Sequence, residues 1–399
     1  MKNYSALEDL ANKDPYLVGK KIVIALSGGI DSIVLFHYLC SNYSGNVRAI
    51  HINHHLSKFS DDWSKFCFEL CKKNNIDFKS IDINIEKSSN VEENARKSRY
   101  NSLKSNLSKN EVLCTAHHQD DQAETLLLQL FRGSGVAGLA SMPKLKNFGQ
   151  AYLYRPLLNI GKQQISEYAA SHHLQWVEDD SNDNTQFKRN LLRVELIPKL
   201  KISFESMIKN ISRSAAHQAE ALTLLHDLAE IDIAQFNLIV DNKIQINHLI
   251  KLSSERITNV IRFYINQRGF LMPSNKVLDE LQSVMSAKSD AQVLLKWHCY
   301  EVKRYNDELY FFDTEHEGVK LECPYYKKLQ HLSNLEVRYR KDGQRVKLKG
   351  KDHSSPLKKV LQESNIPPWE RDKLRMYYVD GHLKAMESIG EMSEVWKNN

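Results

Sequence analysis

The sequence predicts an α/β protein: a doubly wound parallel sheet over residues 1–200, a mainly helical central domain over 201–330, and a small mixed α/β C-terminal domain over 331–399. Three observations lead there. Apolar runs of strand length alternate with helix-period segments through the first half. A strongly helical pattern runs from Ser206 to Phe236, followed by hairpin signals at Asp241-Asn242 and Asn306-Asp307. Beyond Glu336 the chain turns basic, with Tyr339 and Trp369 among the lysines and arginines.

At 399 residues the chain is long enough for two or three domains, and an apolar content of 42% suffices for their cores. A net charge of +6 permits a nucleic-acid partner without requiring one. Met1 to Lys20 has no apolar segment of the signal-peptide kind, and no window approaches the roughly 18 consecutive apolar residues of a membrane span. The expectation is a cytoplasmic protein with no membrane partner. Six cysteines (Cys40, Cys67, Cys71, Cys114, Cys299, Cys323) form no C-x-x-C pair, and Cys67 and Cys71, four apart on a helix, read as core.

The first strand, Lys21 to Leu26, feeds Ser27-Gly28-Gly29-Ile30-Asp31-Ser32 and then a helix through Ile33-Val34-Leu35-Phe36. Two glycines permit a sharp turn and close approach of a ligand, and the helix start offers free N–H groups to an anion. Ser27 and Ser32 add hydroxyls. Asp31 makes sense in an anion site if a cation sits between it and the phosphates, so Mg²⁺-polyphosphate is the expected ligand. A plain tight turn would need neither serine nor aspartate. The loop is neither G-x-x-x-x-G-K-[ST] nor G-x-G-x-x-G; it resembles the SGGxDS loop of the PP-loop ATP pyrophosphatases, which cleave ATP between the α- and β-phosphates.

Strands follow at Val47–Ile52, Phe78–Ile85 and Val112–Ala116, with helices at Asp61–Asn74 and Asn90–Leu107 between them. The second strand ends in His51-Ile52-Asn53-His54-His55, read as polar loop residues near a nucleotide rather than ligands. After the fourth strand comes Ala116-His117-His118-Gln119-Asp120-Asp121-Gln122-Ala123-Glu124-Thr125. Ala123, Leu126, Leu127 and Leu130 form the expected buried stripe of this helix, with Asp121, Glu124 and Thr125 on another face. Carboxylates in a first turn serve as helix caps. Two histidines directly before them, at a strand's carboxyl end, favour catalytic or metal-positioning roles for His117, His118 and Asp121 together with Asp31, and Asp31 and Asp121 as the Mg²⁺ carboxylates. Tyr154-Arg155-Pro156-Leu157-Leu158 closes a fifth strand, where Arg155 faces phosphate or makes an ion pair. A helix is expected from Lys162 to Leu174. Farther on, Arg189 and Arg193 in Lys188-Arg189-Asn190-Leu191-Leu192-Arg193 share one helix face, suited to phosphate.

SGGIDS, HHQDDQAET, RGSGVAGL, RPLL, EDDSN and KRNLLR occur in this order, and Glu92-Glu93-Asn94-Ala95-Arg96 to Arg99-Tyr100 falls between the first two. Together they resemble the N-terminal domain of the tRNA(Ile)-lysidine synthetase family. Asp180 stands where that family often has proline. Gly343-x-Arg345, Leu357-Lys358-Lys359 and Ile366-Pro367-x-Trp369-x-Arg371 are similar to the family's C-terminal domain. The resemblance implies an ATP- and Mg²⁺-dependent ligase that joins L-lysine to the wobble cytidine of the CAU-anticodon isoleucine tRNA. It implies ATP contacts from Ser27, Gly28, Gly29, Ile30, Asp31 and Ser32. It also implies tRNA or phosphate contacts from Arg96, Arg99, Arg155, Arg189, Asn190, Arg193, Lys358, Lys359 and Arg371. Two other readings are a PP-loop tRNA thiolase, disfavoured by the lack of C-x-x-C, and a nucleotide sensor without turnover, disfavoured by the paired histidines and aspartates. The lysine pocket, the general base and the oligomeric state are not legible in the sequence.

Overall fold

A computed structural model describes residues 14–43, 45–55, 57–83, 91–178, 188–285, 294–315, 331, 334–341, 343–351 and 353–392, with backbone alone at 91–93, 390 and 391. Asp180, the EDDSN stretch after Glu178 and Cys323 lie outside the described residues. The chain divides into two compact units, Met1–Asp227 and Leu228–Asn399.

In the first unit β1 (Lys21–Ala25), α1 (Ile30–Asn42), β2 (Val47–Asn53), α2 (Ser60–Lys73), β3 (Asp77–Asp82), α3 (Val91–Ser105), β4 (Glu111–Cys114) and α4 (Gln119–Leu130) alternate. A single turn, α5 (Val136–Leu139), precedes β5 (Leu145–Phe148) and β6 (Ala151–Tyr154). Next come α6 (Lys162–Ser171), α7 (Lys188–Leu191), a π-helical turn Leu192–Leu196 and α8 (Ile197–Ser203). The sheet order is β3-β2-β1-β4-β6-β5. β1 pairs in parallel with both β2 and β4, so the strand order reverses there, where open α/β sheets form their ligand crevice.

The sheet departs from the expected all-parallel form at one edge. β5 runs antiparallel to β6, Phe148 opposite Ala151, around a turn in which Gly149 has φ +66°. The hairpin also ends the fifth strand at Tyr154, before Arg155. On the central strand the alternation places Ile22 and Ile24 against α1, α2 and α6, while Val23 faces Leu103, Leu107, Leu113 and Leu153 on the other side. Each such buried aliphatic side chain contributes about 1.5–3 kcal/mol. Cys67 and Cys71 belong to the first of these cores, as the helical spacing predicted.

The α4 stripe differs from expectation. Ala123 and Leu126 are buried, Leu130 is 51% exposed, and Glu124 is 1% exposed instead. Glu124 tolerates that position because two guanidiniums close on it, as described below.

The helix α9 (Met207–Phe236) leads into the second unit, where α10 (Ile246–Leu249), α11 (Ser254–Gln267) and α12 (Asn275–Met285) accompany a five-stranded antiparallel sheet. Its strands are β7 (Ile239–Val240), β8 (Lys243–Gln245), β9 (Leu294–Trp297), β10 (Tyr300–Tyr305) and β11 (Glu308–Asp313), in the order β7-β8-β11-β10-β9. The hairpins predicted at Asp241-Asn242 and Asn306-Asp307 form, with positive φ at Asp241, Asn242 and Asn306.

The C-terminal part holds β12 (Leu335–Arg338), β13 (Arg345–Val346), β14 (Ser355–Pro356), α13 (Leu357–Glu363), α14 (Pro368–Arg371), β15 (Met376–Val379), β16 (His382–Met386) and β17 (Gly390–Glu391). Trp369 sets its ring edge-on to Tyr310 and Phe312, at centroid distances of 5.3 and 6.1 Å, tying this part to β11.

Candidate active site

The Ser27–Ser32 loop leaves β1 at the strand-order reversal. Gly28 has φ +92°, and a Cβ there would stand 2.8 Å from Val177 Cγ2, so both the backbone and the space demand glycine. Its carbonyl accepts from the Val177 N–H. Gly29 has an ordinary φ of −71°, and the nearest atom to an added Cβ is Ser27 Oγ at 3.9 Å. Nothing among the described residues requires glycine at 29; an approaching ligand would. Ser32 Oγ pins the loop from inside, accepting from the N–H groups of Ser27 (3.2 Å) and Gly28 (3.0 Å) and donating to Gly29 O (2.9 Å). The Ile33 N–H donates to Gly29 O, and the helix amides before it face the loop without side-chain capping.

A cavity of about 230 Å³ opens over this loop. Ser27, Gly29 and Asp31, the strand ends at Ile52, His54 and His117, and Arg99 and Tyr100 of α3 line it.

Asp31 and Asp121 converge on His118. Its Nε2 lies 3.7 Å from Asp31 Oδ2 and 3.5 Å from Asp121 Oδ2, while its buried Nδ1 has no hydrogen-bond partner among the described residues. Burial raises the Asp121 carboxyl, but His118, Arg189 and His117 nearby and the His118 backbone N–H outweigh it and bring the pKa to about 2. His117, which lines the cavity, has its Nδ1 2.9 Å from Thr115 Oγ1. Burial lowers its pKa to about 3, and Arg155, Arg96 and Arg189 add to the effect against the opposing pull of Asp121. His117 is therefore a neutral imidazole at neutral pH.

Arg189 and Arg193 share a face, as their spacing predicts, and that face meets carboxylates. Arg189 Nε donates to Glu124 Oε2 at 2.7 Å and Arg193 Nε to Glu124 Oε1 at 2.7 Å, while both reach Asp121 Oδ1. The π-helical turn that carries Arg193 sits where such turns tend to mark functional segments. Arg155 is 2% exposed and donates to the Pro143 carbonyl, and among the described residues it forms no ion pair. Arg96 and Arg99 lie over the Tyr100 ring at 5.1 and 5.8 Å. Asn190 sits between the two arginines on α7.

Lys162 is a site residue that sequence reasoning missed. Its Nζ is 2.6 Å from Asp31 Oδ1 and its backbone N–H donates to Asp120 Oδ2 at 2.9 Å. Lys201 pairs with the other oxygen of Asp120. The only signal was position, directly after a glycine opening the helix that follows RPLL.

Among the described residues no three His, Cys, Asp or Glu side chains form a protein-only metal cage. Mg²⁺ is usually held by one or two carboxylates plus phosphates, and Asp31, partly exposed beside the loop, fits that role. Asp121 fits it less well, since Oδ1 already takes both arginines and Oδ2 the His118 N–H. No described cysteine lines the cavity, and burial pushes the thiols of Cys40, Cys67 and Cys71 up to about 12.

In the second unit, Arg340, Lys341, Arg345, Lys358 and Arg371 line a basic cleft. Lys358 and Lys359 are exposed. Arg371 is buried and donates to Ile366 O (2.9 Å) and Tyr305 Oη (3.1 Å), a packing role the sequence did not show.

Comparison with known proteins adds the following. Residues 3–200 match the family described as PP-loop domain, 245–310 the TilS substrate binding domain, and 335–398 the TilS substrate C-terminal domain. A tRNA(Ile)-lysidine synthase from Coxiella burnetii is 36% identical over 394 residues, covering 91% of this chain and 87% of that protein. One from Photorhabdus laumondii is 34% identical over 397 residues, covering 92% and 89%. Among solved structures, a U34-tRNA thiolase from Methanococcus maripaludis is similar at 18% identity and a TM-score of 0.44, over 54% of this chain and 76% of that one.

Proposed function

The chain belongs to the tRNA(Ile)-lysidine synthase family, and from that membership we propose how its site performs the family's reaction. The enzyme is an ATP-dependent ligase that modifies isoleucine tRNA. In the reading put forward here, O2 of the wobble cytidine in a CAU anticodon attacks the α-phosphate of ATP. The O2–P bond forms as the bond from Pα to the bridging oxygen breaks, and pyrophosphate leaves. The lysine ε-amine then attacks C2; the C2–O2 bond breaks, AMP departs with the oxygen, and the amine loses a proton.

The observation that carries this reading is the convergence of Asp31 and Asp121 on His118 beside the Ser27–Ser32 loop. The loop amides and the positive end of α1 hold the polyphosphate, and Gly29 leaves its approach open. Asp31 would hold Mg²⁺, whose chemistry when bound is to offset charge on the departing pyrophosphate. A proton acceptor is needed for the amine. With a pKa of about 3, His117 is a poor one at neutral pH. His118 is the better placed, its Nε2 facing Asp31 and Asp121 beside the loop. The basic cleft near Lys358 offers a phosphate-backbone surface. A tRNA substrate supports a cytoplasmic location.

The test uses ATP labelled at the α-phosphate, with lysine withheld. Label should travel with the CAU tRNA and pyrophosphate should appear only when that tRNA is present. Pyrophosphate release that ignores tRNA, with no label on it, would defeat the proposed order of steps.

A further inference from the structure

Lys162 occupies a position that helix electrostatics disfavour. It is the first residue of α6, where the macrodipole is positive and a cation is mildly disfavoured. Two contacts nevertheless fix it there: its backbone N–H on Asp120 Oδ2 and its ammonium on Asp31 Oδ1. The placement is built into the fold. α1 carries Asp31 in its first turn and α6 begins with Lys162, so their N-termini meet at the site, and His37 Nδ1 meets Tyr168 Oη at 2.9 Å farther along the same two helices.

The neighbouring carboxylates have other cations. Asp121 and Glu124 share Arg189 and Arg193, and Asp120 has Lys201. Among the described residues Asp31 has one ammonium, on a flexible stem, in a bridge whose side chains are 41% and 31% exposed, with His118 Nε2 3.7 Å from its other oxygen. A divalent cation and an ammonium in contact with Asp31 Oδ1 repel each other, so each weakens the other's hold on that carboxylate.

Building on the reaction proposed above, we propose that Lys162 is a displaceable counter-ion. It neutralises Asp31 in the free enzyme, gives up that carboxylate when cation and nucleotide arrive, and then pairs with the departing pyrophosphate. A lysine suits this exchange better than an arginine fork, being a compact, hydrated charge with free rotation. Lys162 is thus a catalytic residue of the adenylation step, and the sign of one effect is unusual: removing its charge strengthens cation binding while slowing the reaction.

The test compares the full-length protein with Lys162→Met and Lys162→Arg, after matched thermal unfolding midpoints show that both variants fold. Mn²⁺ titration without nucleotide, read by electron paramagnetic resonance, should give Lys162→Met an affinity higher by about threefold to fivefold, the worth of a half-exposed pair. Pyrophosphate release at saturating ATP and Mg²⁺ should fall about 100-fold, the usual loss on removing one preorganised charge-stabilising group. Lys162→Arg should recover part of that rate. Unchanged or weakened Mn²⁺ binding in Lys162→Met would overturn the displacement, and a rate within about threefold of the parent's, a difference under 1 kcal/mol, would overturn the role at pyrophosphate. The Mn²⁺ titration does not depend on which acceptor the enzyme adenylates, so its failure is distinct from failure of the proposed reaction, which would show as a parent enzyme inactive on the CAU tRNA.

Discussion

Arg193 and Glu124 are locked side chain to side chain, Arg193 Nε on Glu124 Oε1 at 2.7 Å and Arg193 Nη2 on Glu124 Oε2 at 2.9 Å. Arg189 closes the other side of the same carboxylate. Glu124 thus binds the α7 and π-helical segment to α4, one helical turn from the Asp121 carboxylate. Glu124→Gln should destabilise the first unit by on the order of 3 kcal/mol, because it leaves two guanidiniums on a neutral buried amide. Urea unfolding checks this. Undiminished stability would show that the arginines find solvent freely and that the pair does not hold the segment.

The two loop glycines should separate fold from ligand. Gly28→Ala places a Cβ at φ +92° and 2.8 Å from Val177, a strain worth about 1–3 kcal/mol, and should lower the melting temperature. Gly29→Ala should leave the melting temperature within about a degree of the parent's, in keeping with a surface change under ~0.5 kcal/mol, yet weaken ATP binding. Equal ATP affinity in Gly29→Ala would remove the case that this glycine serves ligand approach.

Acid sensitivity follows from Asp121. Its folded pKa, about 2, lies below the ordinary value of 3.8, so its ionised form contributes stability that is fully present above about pH 4 and is lost as pH falls toward 2. The contribution is on the order of 2 kcal/mol, from the size of that shift. The difference in unfolding free energy between the parent and Asp121→Asn should therefore shrink between pH 4 and pH 2. A difference that stays constant across that window would assign the loss to shape rather than charge.

The basic cleft yields a prediction about salt. Lys358→Gln combined with Lys359→Gln should weaken tRNA binding while leaving ATP binding unchanged. The slope of log affinity against log salt should fall by about one for each phosphate that is no longer neutralised. Point substitutions suit this better than truncation, because Trp369 packs against Tyr310 and Phe312 and its removal would open the β11 face. An unaltered salt slope would make both lysines bystanders.

Much of the first unit was legible in the sequence because its strands are short apolar runs and its site residues sit in contiguous motifs. Asp31, His118 and Asp121 meet, as their places at the ends of the first and fourth strands required. What escaped detection depended on partners distant in sequence. Glu124 reads as a surface carboxylate until Arg189 and Arg193, some 65 residues later, cover it. Lys162 finds Asp31 across 131 residues. The β5–β6 hairpin, two four-residue strands around Gly149, lacks the length for a periodic signal. Arg371, for which the resemblance implies a tRNA contact, also donates to a backbone carbonyl five residues away and to a tyrosine 66 residues away, partners that no local pattern reveals.

The most direct measurement is the mass of the anticodon fragment of a CAU isoleucine tRNA after incubation with the protein, ATP, Mg²⁺ and lysine. The wobble cytidine should gain one lysine less one water, and only when ATP and lysine are both present. An unchanged mass, or the exchange of one oxygen for sulfur in the presence of a sulfur donor, would contradict the assignment.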